Sequence, residues 1–408
     1  MRIKSGIIRL LLLFALFAIA FTACGFEGDV ELLGRAPIQI GTDIDTFQQK
    51  LNKLDPIVES GNSGDIYTIE ANGNESGRIE IFKDFTYTKN VTIRITGNGI
   101  SIYPVDFNSP IFEVGSGVTL VLDNITLYAH FPWDPITSEQ RDASLVKVSS
   151  GGTLIMNEGT EIGGNRVDRE NITIEHGAGV LLDGGTLIMN DGMIHNNVAE
   201  YRGGVFVNGG TFVMNNGMIY DNDANYGGGV FIQRDADENI GTFIMNGGTI
   251  YNNEAIIKTY GMTGNGGGAH IDNGVFTLNG GTIRDNKAVN GGGVYVGSGI
   301  FNMSGGEISK NVSGRGGGAF VQSSTAIPNS KFTKNGGIIY GYDADEDHRN
   351  TAEDDESGHA VYAVGGYGGT TPTWIFCNTT VGRNEALGFS LIGGIWTGTP
   401  PSYWQEVE

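Results

Sequence analysis

One stretch, GGVFVNGGTFVMNNGMIYDN at residues 203–222, is repeated with variations along the chain. When the copies are aligned on the third residue of the short V-F-V strand, the steps between them are 25, 25, 39, 25 and 25 residues. The aligned residues are Leu182, Val207, Ile232, Ile271, Val296 and Val321. A period of this size is typical of a solenoid, in which each unit buries its apolar face by stacking on its neighbours. The repeat therefore predicts the fold class before any local motif is considered.

Each unit contains three short strands. In the first strand Val205 and Val207 share one face, because side chains alternate along a strand. The second strand places Phe212 and Met214 on that face, and the third places Ile219 there. Three strands per unit, each buried on one face, predict an all-β parallel β-helix with about 25 residues per coil. The crossover preference of parallel strands predicts the right-handed form.

Asparagine marks two of the predicted corners. One series follows the second strand and comprises Asn157, Asn190, Asn215, Asn246, Asn279 and Asn335. The other series follows the third strand and comprises Asn165, Asn197, Asn222, Asn253, Asn286 and Asn311. Asparagine tolerates left-handed backbone, and stacked asparagine side chains hydrogen-bond to one another. We therefore expect left-handed corners at the first series and hydrogen bonds from coil to coil.

The N-terminus predicts export. Basic residues precede an apolar run at 10–21 that is too short to span a membrane, and a small-residue cleavage point follows at Ala23. Phe21-Thr22-Ala23-Cys24 resembles a bacterial lipobox, which implies lipidation of Cys24 and tethering to a membrane. The alternative is an ordinary secretory signal. Lipidation implies a location at the bacterial outer membrane or cell surface.

The repeat boundaries predict the organisation of the chain. An i, i+3, i+7 apolar stripe indicates a short amphipathic helix at 44–54, which we expect to cap the open end of the stack. The predicted segments are a signal peptide at 1–23, a tether at 24–42 and one β-helix domain at 43–408, with regular coils at about 111–385 and a C-terminal cap at about 386–408.

The charge and the cysteine count of the chain disfavour nucleic acid as a partner and disulfides as a source of stability. Removal of the signal peptide takes away three basic residues and changes the formal charge from −21 to −24. Such an acidic chain is not expected to bind nucleic acid, because phosphates need Lys or Arg for neutralisation. With Cys24 lipidated, Cys377 is the single remaining thiol, so no disulfide is expected. We expect a monomer without a cofactor.

The repeats resemble two families of bacterial surface proteins. Phe-x-x-Asn units at 212–215, 243–246, 276–279 and 332–335, each preceded by a glycine run, are similar to the repeats of chlamydial polymorphic outer-membrane proteins. The lipobox, GVTLVLDNITL at 117–127 and SGGTLIMN at 150–157 resemble treponemal surface β-helix lipoproteins. The resemblance covers roughly residues 110–385 and implies surface display and adhesion.

Insertions in the repeat indicate a candidate binding face. They lie on both sides of the first strand, so its outward residues are expected to line a trough walled by loops. The candidate ligand-binding residues are the outward residues Phe206, Phe231, His270, Tyr295 and Phe320. Solvent-facing aromatic rings in a groove suit sugar rings or a partner chain. The alternative is a ladder of stacked rings that stabilises the sheet.

The same face supplies a weak candidate for catalysis. His270 and Tyr295 lie one coil apart, with Arg234 and Asp235 on the adjoining loop, and general acid–base chemistry needs such groups close together. Right-handed β-helices include polysaccharide lyases and glycoside hydrolases of the pectin-lyase-like fold, so a polysaccharide-active enzyme is the alternative function. The expected function is non-catalytic: adhesion, or binding of a glycan or partner protein, at the cell surface.

An acidic stretch at 343–356 is the one candidate metal site. Asp343, Asp345 and Asp347 alternate like the start of a calcium loop, but His348 occupies the position of the expected glycine. The sequence favours a solvated loop, with weak calcium binding as the alternative.

Overall fold

The chain divides into two compact units, Met1–Ala36 and Pro37–Glu408, and the fold belongs to the second unit. The computed structural model describes residues 36–42, 45–71, 79–106, 108–129, 143–165, 179–256, 264–322, 330–353, 358–364, 374–377, 381, 387–392, 395–397 and 405–407. The predicted signal peptide, Cys24 and most of the tether lie outside these residues.

Three ladders of parallel strands form the solenoid. Sheet 1 contains Lys83–Phe85, Phe112–Val114, Val146–Ser149, Val180–Asp183, Val205–Asn208, Val230–Gln233, the first parts of Ala269–Leu278 and Val294–Met303, Ala319–Gln322 and Val361–Val364. Sheet 2 contains Ile38–Gln39, Ile66–Ala71, the first parts of Val91–Tyr103 and Val118–Tyr128, Thr153–Met156, Thr186–Met189, Thr211–Met214, Thr242–Met245, the second parts of Ala269–Leu278 and Val294–Met303, and Lys331–Lys334. Sheet 3 contains Ile79–Glu80, the second parts of Val91–Tyr103 and Val118–Tyr128, Glu161–Gly163, Met193–His195, Met218–Tyr220, Thr249–Tyr251, Thr282–Arg284, Glu307–Ser309 and Ile338–Ile339.

The predicted all-β parallel β-solenoid is confirmed. It has about nine turns. Turns without insertions advance by 25 residues, as from Val180 to its partner Val205, and insertions raise the mean to about 29. The inward residues of the three sheets form one buried core. Within it, stacked rings from sheet 2 lie 4.6–5.1 Å apart between centroids and comprise Phe212, Phe243, Phe276, Phe301 and Phe332.

The helix occupies Phe47–Ser60, later than the predicted 44–54. Thr46 is its N-cap, in a capping box with Gln49, which fixes the start three residues beyond the predicted position. The helix continues past Pro56 because Val58 is buried in the core and Lys89 Nζ donates to the carbonyl of Gly61 just after the last turn.

The predicted left-handed corners at the first asparagine series are wrong. The positive φ angles at this corner belong to glycines two residues later, as at Gly192 and Gly248 with φ of 98° and 80°. A second set of left-handed residues directly precedes members of the second asparagine series, as Asn252 with φ of 53° precedes Asn253. The asparagines themselves serve as hydrogen-bonding ladders.

Both asparagine series bond from coil to coil, as predicted. In the exposed series Nδ2 of Asn246 donates to Oδ1 of Asn215 at 3.0 Å. In the second series the side chains are fully buried, and Nδ2 of Asn222 donates to Oδ1 of Asn253 at 2.9 Å. Asn350 extends the buried ladder by one coil, which sequence analysis missed because an insertion separates it from the repeat.

A fourth ladder, sheet 4, lies between sheets 3 and 1 in chain order and was not predicted. It contains Asp223–Ala224, Glu254–Ala255, Lys287–Asn290 and Val312–Arg315. Its strands are very short, and their inward residues are small, as Ala224 and Ala255 are. Short strands of alanine and polar residues have little of the β-branched and aromatic character that marks a strand in sequence.

At the C-terminal end of the solenoid, the last strands pair antiparallel. Trp374–Cys377 lies within the predicted regular coils, but it pairs antiparallel with Val361–Val364 of sheet 1. Leu387–Ile392 pairs antiparallel with Lys331–Lys334 of sheet 2, and Ile395–Thr397 pairs with it in turn. Gln405–Val407 pairs with Trp374–Cys377. These strands occupy hydrogen-bonding edges that a further parallel coil would otherwise use.

Candidate functional site

The outward residues of sheet 1 form a continuous ladder of rings, called here the sheet-1 ring ladder. It comprises Phe206, Phe231, His270, Tyr295, Phe320 and Tyr362. Adjacent ring centroids lie 4.7–5.8 Å apart. The strand register brings each side chain opposite its copy on the next coil, and neighbouring rings in parallel register stack. Sequence analysis placed these residues on this face correctly.

The expectation that these rings face solvent is wrong. Their residues are only 2–6% exposed. The chain folds back over them just before each first strand: a Cβ at Gly227, where φ is 61°, would lie 2.8 Å from the Cβ of Phe231. Tyr226 packs edge-on against the ring of His270, and the guanidinium of Arg202 lies 4.2 Å from the ring centroid of Phe206. This covering layer fills the trough that was expected to be open.

His270 and Tyr295 are therefore buried neighbours in the ladder. Burial lowers the pKa of His270 to about 4, so the imidazole is neutral at pH 7. Burial also raises the pKa of Tyr295, and its hydroxyl is hydrogen-bonded to Gln322. Asp235, on the adjoining loop, accepts hydrogen bonds from the backbone and side chain of Asn239. His270 and Tyr295 thus have structural hydrogen bonds and little access to solvent, whereas Arg234 is exposed and Asp235 partly exposed.

The outward face of sheet 3 carries a second stripe, made of four rings and one guanidinium, which sequence analysis missed. This sheet-3 stripe comprises Tyr128, His195, Tyr220, Tyr251 and Arg284. The rings of His195 and Tyr220 stack with centroids 4.9 Å apart and planes 7° apart. Those of Tyr220 and Tyr251 are 4.9 Å and 10° apart, and the Arg284 guanidinium lies 4.7 Å from the Tyr251 centroid.

Apart from His195, which is 8% exposed, the members of the sheet-3 stripe are half-buried instead of covered. Tyr220 and Tyr251 have intermediate exposure. Because their faces stack on one another, the accessible parts are the ring edges and hydroxyls. Among the described residues, the hydroxyls of Tyr220 and Tyr251 contact thioethers, at 3.6 Å to Met193 Sδ and 4.0 Å to Met218 Sδ respectively. Partial burial raises the pKa of both tyrosines, so they stay protonated donors.

An open groove of about 630 Å³ lies on the same side, where sheet 2 turns into sheet 3. Thr282, Ser304 and Glu307 line it together with the backbone of five glycines. Earlier coils have Asp191 and Asn216 at this corner, whose side chains hydrogen-bond to each other. Later coils have glycine at the aligned position, and the missing side chains create the groove.

One sequence signal would have located the sheet-3 stripe. The residue after the single inward isoleucine of each third strand points outward, and the triplets M-I-H, M-I-Y, T-I-Y and T-I-R place the stripe residues there. The search guided by insertions concentrated on the first strand and passed these triplets by, although the insertion at 253–265 follows the T-I-Y triplet closely.

The acidic loop contains a His–carboxylate pair. His348 Nδ1 lies 2.6 Å from Asp345 Oδ1, which also accepts a hydrogen bond from the backbone of Asp347. Nowhere in the described ranges do three or more His, Cys, Asp or Glu side chains lie together so that they could hold a metal ion. The described part of the loop therefore offers no calcium cluster around Asp343, Asp345 and Asp347.

Comparison of the chain with protein-family models, with curated proteins and with solved structures gave no match. In the described part of the chain, no helix has the length and apolar character needed to cross a membrane.

Two surfaces of the β-solenoid carry aromatic ladders, one covered and one accessible.

Proposed function

We propose that this protein is a non-catalytic, glycan-binding protein of the bacterial cell surface, and that it binds through the sheet-3 stripe and the neighbouring groove. The observation that carries the proposal is the accessible ladder of Tyr220 and Tyr251, whose rings repeat 4.9 Å apart on a rigid sheet. Binding sites for sugars combine apolar and aromatic surface with a few well-placed hydroxyls and amides.

The surrounding charges favour a neutral glycan. Arg284 is ion-paired with Asp285, so its charge is already compensated. Glu161 lies along the same sheet and Glu307 lines the groove, and both add negative charge. An acidic polysaccharide would meet repulsion here, whereas a neutral one meets hydroxyl donors and carboxylate acceptors.

Display outside the cell follows from the N-terminal sequence. Cleavage before Cys24 with lipidation of that residue would tether the solenoid to the outer membrane or cell surface. The test is incorporation of a labelled fatty acid in the bacterial host, which we expect for the wild-type chain and not for Cys24→Ser.

A glycan array combined with a polysaccharide-digest screen tests the binding function, with soluble protein starting at Gly25. We expect binding of neutral glycans and no release of shorter sugars. Release of products would replace the proposal with the alternative of a polysaccharide-active enzyme. Absence of binding to every glycan would instead favour a protein partner.

A further inference from the structure

Two methionines lie beside the tyrosines of the sheet-3 stripe. Met193 and Met218 are register partners on consecutive coils, and Met218 shares the outward face of its strand with Tyr220. Met218 is 38% exposed, and Met193 has intermediate exposure. The proposed glycan site uses the tyrosines and assigns no role to these two sulfur atoms.

The two outward methionines differ from those of the core. The inward positions of sheet 2 hold five methionines, each at most 1% exposed, namely Met156, Met189, Met214, Met245 and Met303. Oxidation of a thioether requires contact with the oxidant, so susceptibility follows exposure. A core methionine meets solvent only when the solenoid opens locally or unfolds. Among the described methionines, a peroxide is therefore expected to reach Met218 first and Met193 second.

Each outward sulfur contacts the hydroxyl of a tyrosine on the next coil. The Tyr251 hydroxyl lies 4.0 Å from Met218 Sδ, and the Tyr220 hydroxyl lies 3.6 Å from Met193 Sδ. A thioether sulfur is a weak acceptor, so these contacts hold the hydroxyls only loosely. The hydroxyls thus remain available as donors to a ligand.

The ring of Tyr251 is held between its neighbours on the two adjacent coils. Tyr220 stacks on it with centroids 4.9 Å apart, and the guanidinium of Arg284, in register on the following coil, lies 4.7 Å from the Tyr251 centroid. Met218 has an unbranched side chain that adapts to its surroundings. A strong acceptor created on the Met218 sulfur can therefore reach the hydroxyl of a ring that stays in place.

We propose that Met218 is an oxidation site, and that its sulfoxide captures the hydroxyl of Tyr251 and weakens glycan binding at the sheet-3 stripe. The sulfur gives an electron pair to one oxygen of hydrogen peroxide, so an S–O bond forms while the O–O bond breaks. The sulfur is oxidised, the peroxide is reduced, and the proton of the transferred oxygen goes to the departing oxygen, which leaves as water. Methionine sulfoxide reductases restore the thioether with electrons from a thiol.

The sulfoxide changes which acceptor the Tyr251 hydroxyl meets. Oxidation converts a flexible apolar side chain into a polar one, and its oxygen accepts hydrogen bonds far better than the thioether sulfur does. Tyr251 then donates to Met218 instead of to a sugar, which corresponds to an affinity about two- to tenfold lower. This effect on affinity rests on the proposed glycan binding, whereas the oxidation and its effect on Tyr251 do not.

Limited oxidation of the full chain by hydrogen peroxide, in a mild detergent, tests the proposal. Peptide mass spectrometry should show Met218 oxidised at least about tenfold faster than the core methionines of the folded protein. Ultraviolet difference spectra should show the tyrosine band moving to longer wavelength as the hydroxyl donates to the stronger acceptor. Met218→Leu, which is similar in volume, should abolish this shift. Tyr251→Phe should keep the oxidation of Met218 and lose the shift.

Met193→Leu is the matched control, because it removes the neighbouring, less exposed sulfur; it should leave both the oxidation of Met218 and the shift unchanged. Circular dichroism of each variant checks that the solenoid is intact. Oxidation of Met218 no faster than that of Met245, or an unchanged tyrosine band with Met218 oxidised, would overturn the proposal. So would an unchanged affinity for a glycan that the unoxidised protein binds. Failure of the glycan array would refute the proposed function alone, since the mass spectrum and the tyrosine band need no ligand.

Discussion

The outward faces of sheets 1 and 3 carry aromatic ladders of nearly equal spacing but differ in what lies above them. Phe231 is 5% exposed beneath the returning chain, whereas Tyr251 has intermediate exposure. The difference originates in the connection before each strand. Left-handed glycines precede strands of both sheets, but a Cβ at Gly227 would lie 2.8 Å from the Cβ of the outward Phe231, whereas a Cβ at Gly248 would meet the backbone of Gly217 and the side chain of Met214.

The two sheets show that the direction of a side chain and its exposure to solvent have different causes. In a parallel solenoid the alternation of side chains determines whether a residue points into the core, but the connections determine whether an outward residue meets water. Three of the six covered rings are phenylalanine, and the covered hydroxyl of Tyr295 is hydrogen-bonded to Gln322, because a tyrosine hydroxyl needs a polar partner or solvent. The two asparagine ladders show the same contrast, because one of them is buried and the other is accessible to solvent.

The largest expected effect concerns the asparagine ladders. Asn253→Ala removes the acceptor for two groups of Asn222 and the donor to the carbonyl of Ile219. Buried groups left without partners cost about 1–3 kcal/mol each, so we expect the free energy of unfolding to fall by roughly 4 kcal/mol. Chemical denaturation measures this difference.

Asn246→Ala is the matched change in the accessible ladder. Its partners face water, which replaces the lost hydrogen bonds, so we expect a loss below about 1 kcal/mol. Equal losses in the two variants would contradict the distinction between the buried and the exposed ladder.

Phe231→Ala tests the ring ladders themselves. Removing a buried phenylalanine side chain leaves a cavity, and we expect a loss of about 3 kcal/mol in the free energy of unfolding. Tyr251→Ala, on the accessible stripe, should cost about 1 kcal/mol or less. If Phe231→Ala were as mild as Tyr251→Ala, the covering layer would contribute no stabilising burial.

Sequence periodicity shows which positions are buried in every coil, and this determines how much of the fold was predictable from the sequence. The period and the inward residues, such as Val207 and Phe212, define the strands because each coil repeats the same burial. The covering of Phe231 was not predictable in the same way, since it depends on how Tyr226 and Gly227 fold back through tertiary contacts. Insertions suggested a trough but gave no information on whether it is filled.

The sheet-3 stripe was missed for a related reason. Tyr220 and Tyr251 differ in type from His195 and Arg284, so the column does not read as one repeated residue. The stacking of unlike rings becomes visible only with the strand register in hand. The short strands of sheet 4 escaped because their alanine and polar residues have low strand propensity.

The third prediction uses pH to distinguish buried from exposed histidine. Because the pKa of His270 is about 4 in the folded protein and about 6.5 when exposed, the unfolded chain takes up its proton first as the pH falls. Stability from this group is present above pH 6.5 and is lost between about pH 6.5 and pH 4. At pH 5 the loss is about 2 kcal/mol.

His270→Phe removes this titration and matches the neighbouring rings, so the stability difference between variant and wild type should grow in favour of the variant from pH 7 to pH 5. His348→Gln, at an exposed position, should show no such trend. Denaturation curves at several pH values measure both. A flat difference for His270→Phe would mean that His270 is not buried in solution.

The smallest effect is on binding, and it bears most directly on function. Once a glycan ligand is found, Tyr251→Ala should weaken its affinity about tenfold, or about 1.4 kcal/mol, by removing a ring edge and a hydroxyl donor. Tyr342→Ala, an exposed tyrosine outside the stripe, is the control and should bind as the wild type does. If Phe231→Ala abolished binding in a folded protein while Tyr251→Ala did not, the binding surface would be the sheet-1 ring ladder after all. The covering layer would then have to open for the ligand, and the contrast between the two faces would concern access instead of function.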